Sequence, residues 1–244
     1  MLTQYMKTYS HELQREMECK FYGHGGKPVL FIPCQDGRFF DFENFNMTDT
    51  WGEWLESGAV TVMAIDTIDK ETYSDAATPA YDRIRRHEAW VRYIIDEAVP
   101  MLRARTGRDD IITFGCSLGA THALNLFLRF PDSIRGTLAI SGIYDSNYGF
   151  GDYMDELVYN NSPVHYMENM SADHPYIEKY NSGRGIVCVG TGAWEIPEST
   201  FRLRDIFEQK DIHIWVDIWG DDVNHDWPWW HKMVKYFVPK LLED

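Results

Sequence analysis

Along the chain, apolar and polar positions sort into short runs whose period changes from two to about 3.6. Residues 12–21 alternate, with Leu13, Met17, Cys19 and Phe21 on one side and Gln14, Glu16, Glu18 and Lys20 on the other. Such alternation predicts a half-buried strand, at an edge or antiparallel. After the turn Gly23-His24-Gly25-Gly26 comes Val29-Leu30-Phe31-Ile32, a continuous apolar run of the kind a central parallel strand shows. Further strands are predicted over Val60–Ile65, Ile111–Phe114, Thr137–Ile140, Ile186–Val189 and Ile212–Trp219. Between them lie helical patterns over Tyr81–Thr106 (closed by Gly107), Leu118–Phe130 (stopped by Pro131), Glu198–Gln209 and Trp229–Leu242. Strands alternating with helices imply an α/β fold, a mostly parallel sheet with helices on both faces.

The length of 244 residues suits one domain that buries roughly seven-tenths of the surface its unfolded chain exposes. No repeat or linker-like tract divides it. Segment 144–184, rich in Tyr, Met, Asn and Gly, carries no clear strand and is expected to cover the sheet as a cap or specificity segment.

Charge narrows the partners. With 23 Lys and Arg against 38 Asp and Glu, the net charge is −15, which argues against nucleic acid and mildly against strongly anionic substrates. The run Arg83-Ile84-Arg85-Arg86 reads as a solvated helix face. Cys19, Cys34, Cys116 and Cys188 are scattered without a CxxC pair and read as small buried hydrophobes. The first twenty residues lack the apolar core of a signal peptide, and no stretch has the length of a membrane span. A soluble, cytoplasmic protein without membrane contact is expected.

The strongest chemical signal is Gly115-Cys116-Ser117-Leu118-Gly119, which follows a strand directly and opens a helix. That is the setting of a nucleophile elbow: the turn is so sharp that a Cβ at either flank would clash, and the serine projects at a helix N-terminus where negative charge is favoured. A serine nucleophile needs a base. His225 lies between the last strand and the last helix, a loop that the topology brings over the same end of the sheet. The other histidines lack that placement; His122, five residues past Ser117 on the elbow helix, is expected to pack, and His165 and His174 fall in the variable segment.

A carboxylate should orient the imidazole. Glu195, after the IVCV strand in Gly190-Thr191-Gly192-Ala193-Trp194-Glu195, is the first choice; Glu198 and Asp145 are the alternatives, while Asp221 and Asp222 read as loop solvation. The order Ser117, Glu195, His225 is the chain order of α/β-hydrolases. For the oxyanion hole, the amide of Leu118 and that of Arg38, or else Gly37, are the candidates. The HGGK run precedes its strand and is discounted. His225 and His231 are six apart and do not share a helical face, so neither a metal site nor any other cofactor is expected.

Taken together, Asp36-Gly37, the GCSLG elbow with its following Phe130-Pro131-Asp132, the Gly-Thr-Gly loop with Glu195, and His225 resemble the putative esterase family, which includes esterase D, feruloyl esterases and the antigen 85 mycolyltransferases. The likeness runs from VLFIP to the final helix. It implies an α/β-hydrolase core and a Ser, acid, His triad acting on carboxylic esters, and it supports an oxyanion amide near Arg38. Cys116 and the run Trp227-Pro228-Trp229-Trp230 depart from the family pattern and leave the substrate open. The leading expectation is a serine ester hydrolase for small short-chain, aromatic or sugar-linked esters. A thioesterase, an acyltransferase or a catalytically silent binding protein would use the same fold.

Overall fold

A computed structural model describes residues 1–243. Its centre is one eight-stranded sheet of order β1-β2-β4-β3-β5-β6-β7-β8, formed by β1 (Thr3–Ser10), β2 (Arg15–Gly23), β3 (Lys27–Ile32), β4 (Val60–Ile65), β5 (Ile112–Cys116), β6 (Gly136–Ile140), β7 (Arg184–Val189) and β8 (Trp215–Ile218). Strands β4, β3, β5, β6, β7 and β8 are parallel; β2 joins β4 antiparallel, and β1 joins β2 antiparallel. The fold is that of an α/β-hydrolase, with helices on both faces.

Two outer strands differ from the sequence pattern. β1 is absent from it because its rings lie on the solvent face: Tyr5 and Tyr9 remain exposed beside Lys7, while the inward face carries Met6 with the polar Thr8 and Ser10, so no apolar alternation marks this edge. At the other edge, Ile212 and Ile214 keep the expected alternation and are buried, yet the ladder begins only at Trp215.

The alternation inside the parallel strands sorts residues onto two cores. Leu30, Ile32, Met63, Ile65, Ala139 and Val187 face one side. There they meet α1 (Ala80–Arg92, continued through Tyr93–Ala98 to Thr106), α2 (Leu118–Arg129) and α3 (Glu198–Gln209). Val29, Phe31, Val62, Ala64, Phe114, Leu138, Ile140 and Cys188 face the other, against α4 (Trp227–Leu242) and the short helices of residues 41–56. The helix expected over Tyr81–Thr106 contains a π-helical turn at Tyr93–Ala98. Pro100 has no N–H to donate back one turn, and the wider turn just before it absorbs that loss. Gly107, at φ 68°, ends the helix in the left-handed region. Among the described residues no helix is long and apolar enough to cross a membrane.

Segment 144–184 forms four short helices, Asn147–Phe150, Glu156–Asn160, Pro163–Asn169 and Tyr176–Ser182. Its underside is firmly packed: Tyr144, Met167 and Tyr180 are buried, and Asn161 joins the ion pair that Arg129 of α2 makes with Glu88 of α1.

Candidate active site

The β5–α2 turn is built by exclusion. A Cβ on Gly115 would lie 2.3 Å from the backbone of Gly119, and one on Gly119 would lie 2.3 Å from Ile32 O and 2.4 Å from Pro33 O. With side chains removed at both flanks, β5, α2 and the end of β3 close on one another. Ser117 sits between them at φ 56° and ψ −132°, a backbone conformation that costs of order 1–3 kcal/mol and persists only where the surroundings enforce it. Its N–H is held by Ile140 O at 2.9 Å.

The loops after β7 and β8 are stitched together largely through their backbones. Gly192 N donates to Val223 O, Ala193 N to Asn224 Oδ1 and His225 N to Ala193 O, at 2.9, 2.8 and 3.0 Å. A Cβ on Gly190 would meet Val223 O at 2.3 Å, so the Gly-Thr-Gly run is what lets the loops touch. The outcome is a row of three side chains from three loops. His225 Nε2 is 2.9 Å from Ser117 Oγ, and His225 Nδ1 is 3.1 Å from Glu195 Oε2. The Glu195 side chain is 1% exposed and that of His225 23%, so the carboxylate is covered while the imidazole edge and the serine reach solvent. A carboxylate on Nδ1 favours the tautomer with its proton there, leaving Nε2 to accept from the serine hydroxyl.

Sequence reasoning missed the groups behind Glu195. Its Oε1 accepts from Ser141 Oγ at 2.7 Å and from Gly190 N at 3.3 Å. Ser141, at the end of β6 with φ 57°, in turn accepts from Trp230 Nε1 at 3.1 Å, and the Trp230 ring stands edge-on to His225 with centroids 5.0 Å apart. The two alternative acids lie elsewhere in the bonding pattern: Asp145 accepts from Asn147 N, and Glu198 opens α3. Asp221 and Asp222 are exposed.

The oxyanion expectation for the early loop does not hold at Arg38. Its N–H donates to Asp41 Oδ2 at 3.1 Å, and its guanidinium pairs with Glu18 and Asp66. Gly37 N is also taken, by Cys34 O at 2.9 Å. Asp36 N reaches Asp69 Oδ2 and Phe39 N reaches Asp66 Oδ1. The N–H of Gln35 donates to no acceptor among the described residues, and neither does that of Leu118, the first residue of α2. Gln35 follows the Pro33 carbonyl that lies against Gly119, so its loop adjoins the N-terminus of α2. Its exposed side chain donates to Ser74 Oγ and accepts from Tyr148 OH.

Neighbouring nucleophiles are suppressed. Burial pushes the Cys116 thiol well above its ordinary range, and burial together with Asp41 pushes Cys34 up to about 12. Neither supplies thiolate near neutral pH. Among the described residues no group of three or more His, Cys, Asp or Glu side chains could hold a metal ion.

A partly exposed serine in a strained elbow, bonded to a histidine that a covered carboxylate backs, on this sheet, defines the hydrolase class of α/β proteins. The profile of the family described as "Putative esterase" matches residues 10–237, and the chain belongs to that family. Its activity is that of a carboxylic ester hydrolase. A search of curated protein sequences finds no match. Among solved structures, the chain is similar to a ferulic acid esterase with a TM-score of 0.78 and 14% identity, over 99% of this chain and 98% of that one. It is similar to an S-formylglutathione hydrolase from Agrobacterium tumefaciens with a TM-score of 0.74 and 12% identity, over 98% and 94% of the two chains. For MPT51 of Mycobacterium tuberculosis the TM-score is 0.72 and the identity 13%, over 99% and 98%.

Proposed function

We propose that the chain cleaves carboxylic esters through an acyl-enzyme on Ser117. The observation that carries this reading is the 2.9 Å approach of Ser117 Oγ to His225 Nε2 with Glu195 on the opposite ring nitrogen. Ser117 Oγ attacks the ester carbonyl as His225 Nε2 takes its proton. The tetrahedral intermediate places its negative oxygen at the N-terminus of α2, with the N–H groups of Leu118 and Gln35 as donors. His225 then protonates the departing alcohol as the carbon–oxygen bond breaks. Water, deprotonated by the same nitrogen, attacks the acyl-enzyme and releases the acid. Glu195 holds the imidazole in the productive tautomer and stabilises its charged form.

For the substrate, we propose short-chain, aromatic or sugar-linked esters rather than long-chain lipids, with segment 144–184 as the specificity cover. Tyr144 and Tyr180 are buried and act as packing, so the support comes from the aromatic groups that stay accessible. Tyr148 is exposed beside Gln35, Trp194 is 87% exposed immediately before Glu195, and Phe45 stacks on Trp227 with ring centroids 4.2 Å apart. Flat rings of this kind suit planar acyl or alcohol groups. Several similar structures are of ferulic acid esterases.

The test is labelling with a fluorophosphonate followed by mapping of the adduct, together with turnover of p-nitrophenyl esters from acetate to palmitate. The adduct should fall on Ser117 and the rates should decline with chain length. An adduct on another serine would overturn the mechanism. Fastest turnover of palmitate would overturn the substrate reading and leave the mechanism standing.

A further inference from the structure

Beneath the early loop runs a buried polar chain that the triad does not use. Asp69, in the short 3-10 turn Asp69–Glu71 after β4, is 2% exposed. Its Oδ2 accepts from Asp36 N at 3.3 Å, and its Oδ1 lies 3.1 Å from His122 Nε2. His122 stands on α2 just over one turn beyond Leu118 and is also 2% exposed. Its ring is enclosed by Tyr73, His87 and Trp90, with centroids 5.3, 5.1 and 4.9 Å away. The same segment binds the loop once more, through Ser74. Asp69 O accepts from Ser74 N, and Ser74 Oγ donates to Asp36 Oδ1.

The two amides aimed at the oxyanion belong to different elements, Leu118 to α2 and Gln35 to the loop after β3. The backbone contact at Gly119 sets how close that loop comes to α2. It does not set which way the loop's peptide planes face. Asp36 has φ 61°, a left-handed conformation that a residue with a Cβ keeps only when held. Asp69 holds its N–H and Ser74 its carboxylate, and what ties Asp69 to α2 is His122.

We propose that Asp69 and His122 are positioning residues for the oxyanion hole, fixing the peptide next to the Gln35 N–H at a set place relative to Leu118. The proposal rests on the serine esterase reading above. The chain of contacts from α2 through His122 and Asp69 to Asp36 makes the two donors one rigid unit. Loss of a link leaves the triad and substrate binding in place and weakens only the stabilisation of the negative oxygen.

The experiment compares Asp69→Asn, Asp69→Ala, His122→Gln and His122→Leu on p-nitrophenyl acetate, with active sites counted by fluorophosphonate labelling carried to completion. Removing one oxyanion donor lowers kcat by roughly a hundredfold to a thousandfold, so kcat per labelled site should fall about a hundredfold in Asp69→Ala. Asp69→Asn keeps one acceptor oxygen and should lose about tenfold on the same scale. KM should stay within about twofold of wild type, as expected when an interaction made only in the transition state is lost. His122→Gln, whose amide can donate to Asp69, should recover part of what His122→Leu loses. The inhibition constant of a phenylboronic acid, whose tetrahedral adduct carries the negative oxygen, should weaken by the same factor as kcat/KM.

Unchanged kcat per site in folded Asp69→Ala, a rise in KM alone, or a kcat loss without weaker boronate binding would overturn the proposal. Should Asp69→Ala fail to fold, the Asp69→Asn loss and the contrast between His122→Gln and His122→Leu decide in its place. Failure of the underlying reading looks different: wild type would take no label on Ser117, or Ser117→Ala would keep its activity.

Discussion

Two parts of the molecule converge on Ser117 and are held there by different chemistry. The loops carrying Glu195 and His225 are joined mainly backbone to backbone, through glycines that let the chains touch. The loop carrying Gln35 is held mainly by carboxylates, with Asp41, Asp66 and Asp69 each accepting one of its amides. The bonds that join the first pair of loops use no ionisable side chain and depend on the absence of Cβ atoms. The second arrangement depends on three buried or half-buried aspartates and leaves the amide of Gln35 unclaimed. A rigid joint suits the proton transfer proposed for this row, where a displacement of about 1 Å can cost a hundredfold in rate. Holding the amides of Asp36, Gly37, Arg38 and Phe39 is a way to aim the N–H of Gln35 beside them.

The largest effect should come from the serine that both parts share. Ser117→Ala and His225→Ala should each lower kcat by about 10⁴ to 10⁶ without altering thermal stability, and the double variant should be little worse than either. Additive losses would mean that the two do not act as a unit. Glu195→Gln probes the backbone-held side and should cost about 10³ to 10⁴ in kcat, in line with loss of the carboxylate of a Ser-His-Asp triad. Glu198→Gln and Asp145→Asn should change kcat by less than about threefold, well under one unit of log rate. A severe Asp145→Asn phenotype would move the acid to the loop after β6.

Gly192→Ala tests the joint without touching a reacting group. The added Cβ would lie 2.5 Å from Asn224 Oδ1 and 2.6 Å from Val223 O, so the His225 loop must move. A kcat loss on the order of a hundredfold, with a lower Tm, is expected. Wild-type kinetics in this variant would show that the backbone stitching is not what places His225.

The smallest effect concerns the carboxylate-held side. Burial, outweighing the bonds from Arg38 and Phe39, raises the Asp66 carboxyl above the usual aspartate range. The folded chain therefore keeps this proton to higher pH than the unfolded chain does. Stability from this group is present below the unfolded value and declines as pH rises through the folded one. Against Asp66→Asn, which cannot ionise, wild type should match the variant within about 1 kcal/mol at pH 3 and lose ground as pH rises from about 4. A constant difference in Tm from pH 3 to 7 would contradict this account. Gly192→Ala should show no such dependence on pH relative to wild type.

By itself the sequence determined the features that depend on neighbours along the chain. The parallel strands and the main helices follow from hydrophobic period. The elbow follows from glycines flanking a serine between a strand and a helix, and the loops bearing Glu195 and His225 follow from strand order. Steric exclusion by a Cβ and burial of one face act over a few residues, so they leave a local mark. What only the tertiary structure decided depends on residues far apart in the chain. Strand β1 carries no apolar alternation because its tyrosines face solvent and its inward face is mostly polar, and its pairing is a property of β2. Arg38 reads as an oxyanion donor until Asp41 is seen to hold its amide and Glu18 and Asp66 its side chain. Ser141 behind Glu195 and the path from His122 to Asp36 leave no motif, because each contact joins groups from separate elements. The tyrosines of segment 144–184 look alike in sequence, yet Tyr144 is buried and Tyr148 exposed. Which polar group meets which is set by proximity in space, and periodicity along the chain carries no record of it.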